Sequence, residues 1–332
     1  MEKSNRFTAQ NIKKIIGQHS IWLVFIILAI FMAIASPTFL TKTNITNLLT
    51  TESIKGILTV GVMFCILSKG IDLSMGSIVA LSSVMSASLV QEDVAGKLFP
   101  QIGTLPAGVA ILAGLSVGII FGLINGVLIS YTKIPAFIAT LGSQLVVRAL
   151  AQIYTNAYPV AQLSPSFRAL GSGSLIPNVP NVVLIFIIMV VIAGVLLTQT
   201  RFGKSVYAIG GNEMAANVAG INVERNLIIV YTFSGFCAAL GGVLLASRAG
   251  SGTSTAGLNY ELDAIAAATV GGTSHSGGIC RISGVIAGIL ILGVISNGLL
   301  LLGVSPYVQQ VVKGVIIVGA VVFDMRKNKK RK

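Results

Sequence analysis

The sequence predicts an all-α, polytopic membrane protein with about ten transmembrane helices and both termini in the cytoplasm. Three observations predict it. Of the 332 residues, 54% are hydrophobic and only 10% charged, whereas a water-soluble domain carries about 25% charged residues. The apolar residues fall into runs of about 20, enough at 1.5 Å per residue to cross a hydrocarbon core about 30 Å thick, without the alternation of a barrel strand. The net charge of +13 collects at the ends of those runs, with Lys3, Arg6, Lys13 and Lys14 before the first and "MRKNKKRK" after the last. Basic residues so placed mark the cytoplasmic side and, with no aromatic interleaving, argue against a nucleic-acid surface.

The chain divides into a cytoplasmic segment 1–20, a transmembrane domain 21–323 and a basic cytoplasmic tail 324–332. The run at 21–40 has the basic flank of a signal peptide, but it is long for an h-region and lacks an A-x-A cleavage site, so it is read as a retained span. Spans at 54–68 and 75–91 bracket "SKGIDLSMGS". There Asp72 or Ser74 suits a helix N-cap and the glycines suit a sharp turn; an ion-coupling carboxylate at Asp72 is the sharper alternative. The span 106–130 sets Gly114, Gly118, Gly122 and Gly126 on one side, a spacing that lets another helix approach closely; packing within the subunit is the preferred reading and an interface between subunits the second.

In the span 135–154, Thr140, Gln144, Arg148 and Gln152 recur every four residues and form one polar stripe. A guanidinium and two amides facing a wet cavity suit the vicinal hydroxyls of a small polyol, which makes the stripe the candidate translocation path. Hydrogen-bonding glue between helices is the competing reading. After the span 181–199 comes a polar, small-residue stretch, 201–225, placed in the cytoplasm with Arg201, Lys204 and Arg225 framing it. Asn212 suits an N-cap, Glu213 the first turn and Gly220 a helix stop. Met214, Val218 and Ile221 make an apolar edge, while Ala215 and Ala216 keep the rest of the surface thin. Such a helix fits the groove of another protein.

The remaining spans are expected at 226–247, 262–273, 282–302 and 306–323, the short, glycine-rich eighth standing apart. In "NYELDAIAAATVGG", Glu261 and Asp263 begin a small-residue helix; they either suit its dipole or contact a soluble partner outside. "GIDLSMGSIVA" and "GICRISGVIAG" share too few positions to define a repeat. Cys65, Cys237 and Cys280 lie in apolar stretches, as buried thiols do; with only two histidines, no metal site is expected. No phosphate loop and no nucleophile–base set stands out, so an enzyme is not expected and ATP energy must come from another chain.

The 212–221 stretch resembles the glutamate–alanine–alanine…glycine coupling loop of ABC-importer permeases, with Glu213, Ala215, Ala216 and Gly220 matching and Met214 where alanine is common. "GIDLSMGS" (70–77), "PAFIATLGS" (135–143), "YELDAIAAATVGGTSHSGG" (260–278) and "GVSPYVQQVVKGVIIV" (303–318) resemble the ribose-type permeases of monosaccharide importers, collinearly over roughly residues 54 to 325. The resemblance implies the ABC-importer permease fold in a bacterial plasma (inner) membrane. It implies a second permease copy, an ABC ATPase docked on 212–221, an extracytoplasmic sugar-binding protein and a monosaccharide cargo. This chain would hold no cofactor; ATP and Mg would belong to the partner ATPase. The rival class is an ion-coupled secondary transporter using Asp72, Glu261 or Asp263.

Overall fold

The computed structural model describes residues 9–329. Lys3, Arg6 and the last three residues of the basic tail lie outside the described residues, as do the side chains of Lys13 and Lys14. In chain order the helices are α1 (Ala9–Ala35), α2 (Lys42–Leu67), α3 (Met75–Leu89), α4 (Ala107–Thr132), α5 (Ala136–Thr155), α6 (Pro165–Ser172) and α7 (Asn181–Gln199). They continue with α8 (Arg201–Gly211), α9 (Glu213–Val218), α10 (Val223–Ala249), α11 (Tyr260–Val270), α12 (Ile282–Leu301) and α13 (Pro306–Lys329). A two-residue strand β1 (Val160–Ala161) pairs antiparallel with β2 (Ser251–Gly252). Among the described residues, seven helices, α2, α4, α5, α7, α10, α12 and α13, are long and apolar enough to cross a membrane.

α10 is the centre of the bundle and packs on α4, α3 and α2. The glycine stripe of α4 makes the α10 contact possible. A Cβ on Gly118 would collide with the carbonyl oxygen of Gly235, and one on Gly122 would lie 2.5 Å from the Tyr231 oxygen. One on Gly126 would lie 2.7 Å from the Ile228 Cα, and one on Gly114 2.6 Å from Val243 Cγ2. The two helices therefore run antiparallel, backbone against backbone, inside one subunit, as the spacing predicts.

α2 begins at Lys42 rather than at 54 because tertiary contacts satisfy its polar first half. The Thr41 hydroxyl caps it by accepting from the Asn44 amide, and the Asn44 and Asn297 side chains bond to each other at 2.9 and 3.0 Å. Two expected spans are corrected. α3 has 15 residues and α11 has 11, so they rise about 22 and 16 Å, short of a 30 Å core. Their small residues are buried in protein, which hydropathy alone does not separate from burial in lipid. Each half-helix is fed by a non-helical segment, 68–74 before α3 and 250–259 before α11 apart from the short β2. The N-termini of the two half-helices meet: a Cβ on Gly76 would collide with Glu261 Oε2 and lie 2.5 Å from the Gly257 oxygen. Glu261 is only 4% exposed and lies, as expected, in the first turn of α11.

Candidate translocation path and coupling surface

The polar stripe of α5 supports both breaks. Thr140 Oγ1 donates within α5 to the Ala136 oxygen (2.9 Å) and lies 3.3 Å from the Ile71 oxygen in the segment before α3. Gln144 Nε2 donates to Glu261 Oε1 at 3.1 Å. Arg148 donates from one guanidinium nitrogen to the carbonyl oxygens of Ser254 (2.8 Å) and Ala256 (2.9 Å), in the segment before α11. These residues follow the side of a helix at one turn per step, so one face of α5 reaches two interruptions of the bundle in register. Gln152 is exposed and has no side-chain hydrogen bond among the described residues. The structure thus brings three of the four stripe residues to the junction and leaves the fourth apart.

Asp72, Glu261 and Asp263 are all turned into the bundle rather than toward a soluble partner. Asp72 is fully buried; its Oδ1 accepts from the Ser74 amide (3.0 Å) and hydroxyl (2.6 Å), and its Oδ2 accepts from Ser234 Oγ at 2.6 Å. Asn125 Nδ2 donates to Ser74 Oγ at 3.0 Å. The Asp72 side chain therefore closes an Asx-type turn just ahead of α3, whose N-cap residue is Ser74 with no side-chain cap bond of its own.

Asp263 belongs to a group that sequence reasoning missed. Lys55 of α2 lies 3.0 Å from Asp263 Oδ2 and 3.4 Å from Glu52 Oε1, and Lys313 of α13 lies 3.0 Å from Asp263 Oδ1. The Tyr260 ring centroid is 5.6 Å from Lys55 Nζ, within reach of a cation–π contact. Four opposed charges thus pin the outer side of α11 to α2 and α13, while Glu261 and Gln144 hold its other side. The available signal was a lone lysine inside each of two apolar runs, which a membrane segment tolerates only with a partner.

At the far end of the bundle, 201–225 folds into two helices rather than one. Thr200 caps α8 by accepting from the Gly203 amide (3.1 Å), and Tyr207 donates to the Cys280 oxygen at 2.8 Å. Burial pushes the Tyr207 phenol up to about 12. Asn212 Oδ1 accepts from the Ala215 amide (3.0 Å), starting α9 with Glu213 in its first turn. Gly220, at φ +82°, ends it: its amide bonds the Asn217 oxygen (2.9 Å) and that of Ile221 bonds the Ala216 oxygen (3.0 Å). This is the Schellman pattern, and its left-handed residue explains the glycine.

Ala216 is buried in a cluster with Ile209, Val223 and Leu227. Met214 and Val218 are 79% and 85% exposed, and Ile221 is half-buried. Ala215 and Gly220 are exposed, so α9 offers an apolar, low-relief surface. It is tied to the bundle by Lys133, which lies 3.0 Å from Glu224 and 3.9 Å from Glu213. Lys69 Nζ donates to the Gly211 oxygen at 3.2 Å, and the Gly278 amide to the Leu67 oxygen at 2.9 Å. Through Lys69 and through Tyr207 the candidate coupling surface touches both the segment that leads into α3 and the loop that follows α11.

Residues 44–321 match a family described as branched-chain amino acid transport system / permease component. The chain is similar to the galactose/methyl galactoside import permease protein of Escherichia coli (strain K12), at 40% identity over 94% of this chain and 95% of that one. It is similar to the ribose import permease protein of Bacillus subtilis (strain 168), at 43% identity over 92% of each chain. The ribose import permease protein of Escherichia coli (strain K12) is 41% identical over 93% of this chain and 94% of its own. No solved structure matches the chain.

Proposed function

We propose, because the chain belongs to the branched-chain amino acid transport system / permease component family, that it carries a monosaccharide across a bacterial inner membrane. The chain is a multi-pass membrane transport subunit and not an enzyme. The cargo is inferred from relatives of nearly full length that are named for ribose and galactose import. The ion-coupled reading of Asp72, Glu261 and Asp263 gives way to this one.

In this reading about ten crossings place both termini on the side of 201–225, with each half-helix and its lead-in segment counting as one crossing. A separate ATPase, which binds ATP and Mg, seats α9 through Met214 and Val218. A sugar-binding protein delivers cargo at the opposite end, and a second copy of the permease completes the path. The path passes the α3–α11 junction, where Gln144 and Arg148 of α5 supply polar groups. Closure of the ATPase moves α8 and α9, and Lys69 and the 276–278 backbone pass that motion to the half-helices. The two access states must differ in their contacts with ATPase and binding protein for the motion to be driven.

The single observation that carries the coupling role is a short, capped helix whose two large apolar side chains face outward from the bundle end. Glu213→Lys with Gly220→Trp removes the first-turn acid and the helix stop. The expected result is an inserted permease that no longer co-purifies its ATPase and no longer transports; undiminished co-purification refutes the docking assignment.

A further inference from the structure

Within the proposed path, the N-termini of α3 and α11 lie together. A helix N-terminus carries about half a positive elementary charge, and transporters with broken helices aim such ends at anionic groups of their substrates. Here a side chain of the protein already fills that position. Glu261 is 4% exposed, with Oε1 held by Gln144 at 3.1 Å and Oε2 set against the Gly76 backbone. Oε2 has no hydrogen-bond partner among the described residues. A buried carboxylate oxygen with no donor is costly, and it is aimed at the one place where the half-helices would part to open the path.

The surrounding charges say what such a site accepts. Arg148 and the two helix ends together bring about two positive charges. Asp72 at the start of α3 and Glu261 bring two negative ones, while Asp263 and Glu52 together balance Lys55 and Lys313. The junction is thus close to neutral and offers a free acceptor. We infer that Glu261 sets the charge preference of the path: it cancels the two helix ends and presents Oε2 to a hydroxyl donor, so that uncharged polyols pass and anions are refused. This deepens the function proposed above and rests on the junction being the path.

The test uses the full permease reconstituted with its ATPase and binding protein in liposomes that enclose a halide-quenched dye. Glu261→Gln keeps the shape and an acceptor for Gln144 while removing the charge. Gln144→Lys shifts the local charge by the same amount from the other partner. Each is expected to raise iodide influx during ATP turnover about tenfold or more over the wild type, since a unit charge in a low-dielectric site acts strongly on ions nearby. The double variant Gln144→Glu with Glu261→Gln returns the charge to the pair and is expected to restore exclusion. A purely structural role would leave iodide influx at the wild-type level in whichever of the two single variants inserts, and that result overturns the inference. Ribose and galactose uptake by the wild-type complex is measured alongside. If the wild type transports either sugar and iodide influx does not change, only the role of Glu261 falls; if it transports neither, the sugar reading itself falls.

Discussion

Two contacts deep in the bundle bring backbone against backbone, and they are built differently. Along the α4–α10 seam glycine faces glycine, Gly118 against Gly235, with Ala239 and the Tyr231 backbone beside them. At the α3–α11 junction Gly76 faces the Glu261 carboxylate, and Gln144 and Arg148 stand behind it. The seam is held by continuous van der Waals contact, which any relative motion of the helices forfeits. The junction is held by a few polar bonds, each worth about 0.5–1.5 kcal/mol net. The first is a frame and the second is a latch, so transport motions should swing the half-helices against a fixed α4–α10 pair.

The strongest way to break that comparison is to overfill the seam. In Gly118→Leu the new side chain meets main-chain atoms of α10, which cannot rotate away. Overpacking of this kind costs about 1–3 kcal/mol for an extra methylene or two, and more where backbone blocks relief. The expected outcome is loss of folded permease from detergent extracts, read by size-exclusion chromatography. A Gly118→Leu protein that runs and melts like wild type would show that the seam is not the frame.

The next effect separates the two sides of α11. Lys55→Met leaves Glu52 without a cation and Asp263 with Lys313 alone. Breaking one partner out of a buried ion group costs about 3–5 kcal/mol, whereas replacing charges together is often nearly neutral. The single variant is therefore expected to lower the melting temperature and to cut uptake about tenfold or more. Adding Glu52→Gln should recover much of both. If Lys55→Met melts as wild type and transports normally, α11 is not clamped through Asp263.

Much of the α9 surface was legible because caps are local chemistry. Asn212 and Gly220 mark a helix start and stop whatever surrounds them, and the α4 glycines announce a close contact by spacing alone. The half-helices were legible only in part. "AIAAATVGG" already stood apart as short and glycine-rich, whereas "MGSIVALSS" is apolar enough to pass as a span, and only the surrounding protein shows that it stops short. The Lys55–Asp263–Lys313 group was hidden for the same reason, since its members lie on three helices far apart in sequence. α8 was missed because its small apolar side, Val206 and Ile209, is buried by tertiary contacts rather than by any strong run of its own. The faint likeness of 70–80 to 278–288 also pointed elsewhere: the segment that answers 68–74 in space is 250–259.

The smallest effect lies where the latch meets the outer helix α13. His275, in the loop after α11, has Nε2 2.8 Å from Thr269 Oγ1, and its amide donates to Asp324 Oδ2 at 3.1 Å. Burial holds its imidazole below the usual value of 6.5, with Asp324 opposing more weakly. The folded protein then binds fewer protons than the unfolded chain between the two values, so stability rises with pH across that window. The contribution is fully present above about pH 6.5 and fades as pH falls through the lower, folded-state value. Acidification should therefore loosen the 269–276 loop while leaving the α4–α10 seam unaffected. Hydrogen exchange corrected for its intrinsic pH dependence, compared at pH 7.5 and 5.5, is expected to show faster opening of that loop alone. His275→Gln, which has no proton to gain, should flatten the difference; an equal pH response in that variant would place the sensitivity in another group.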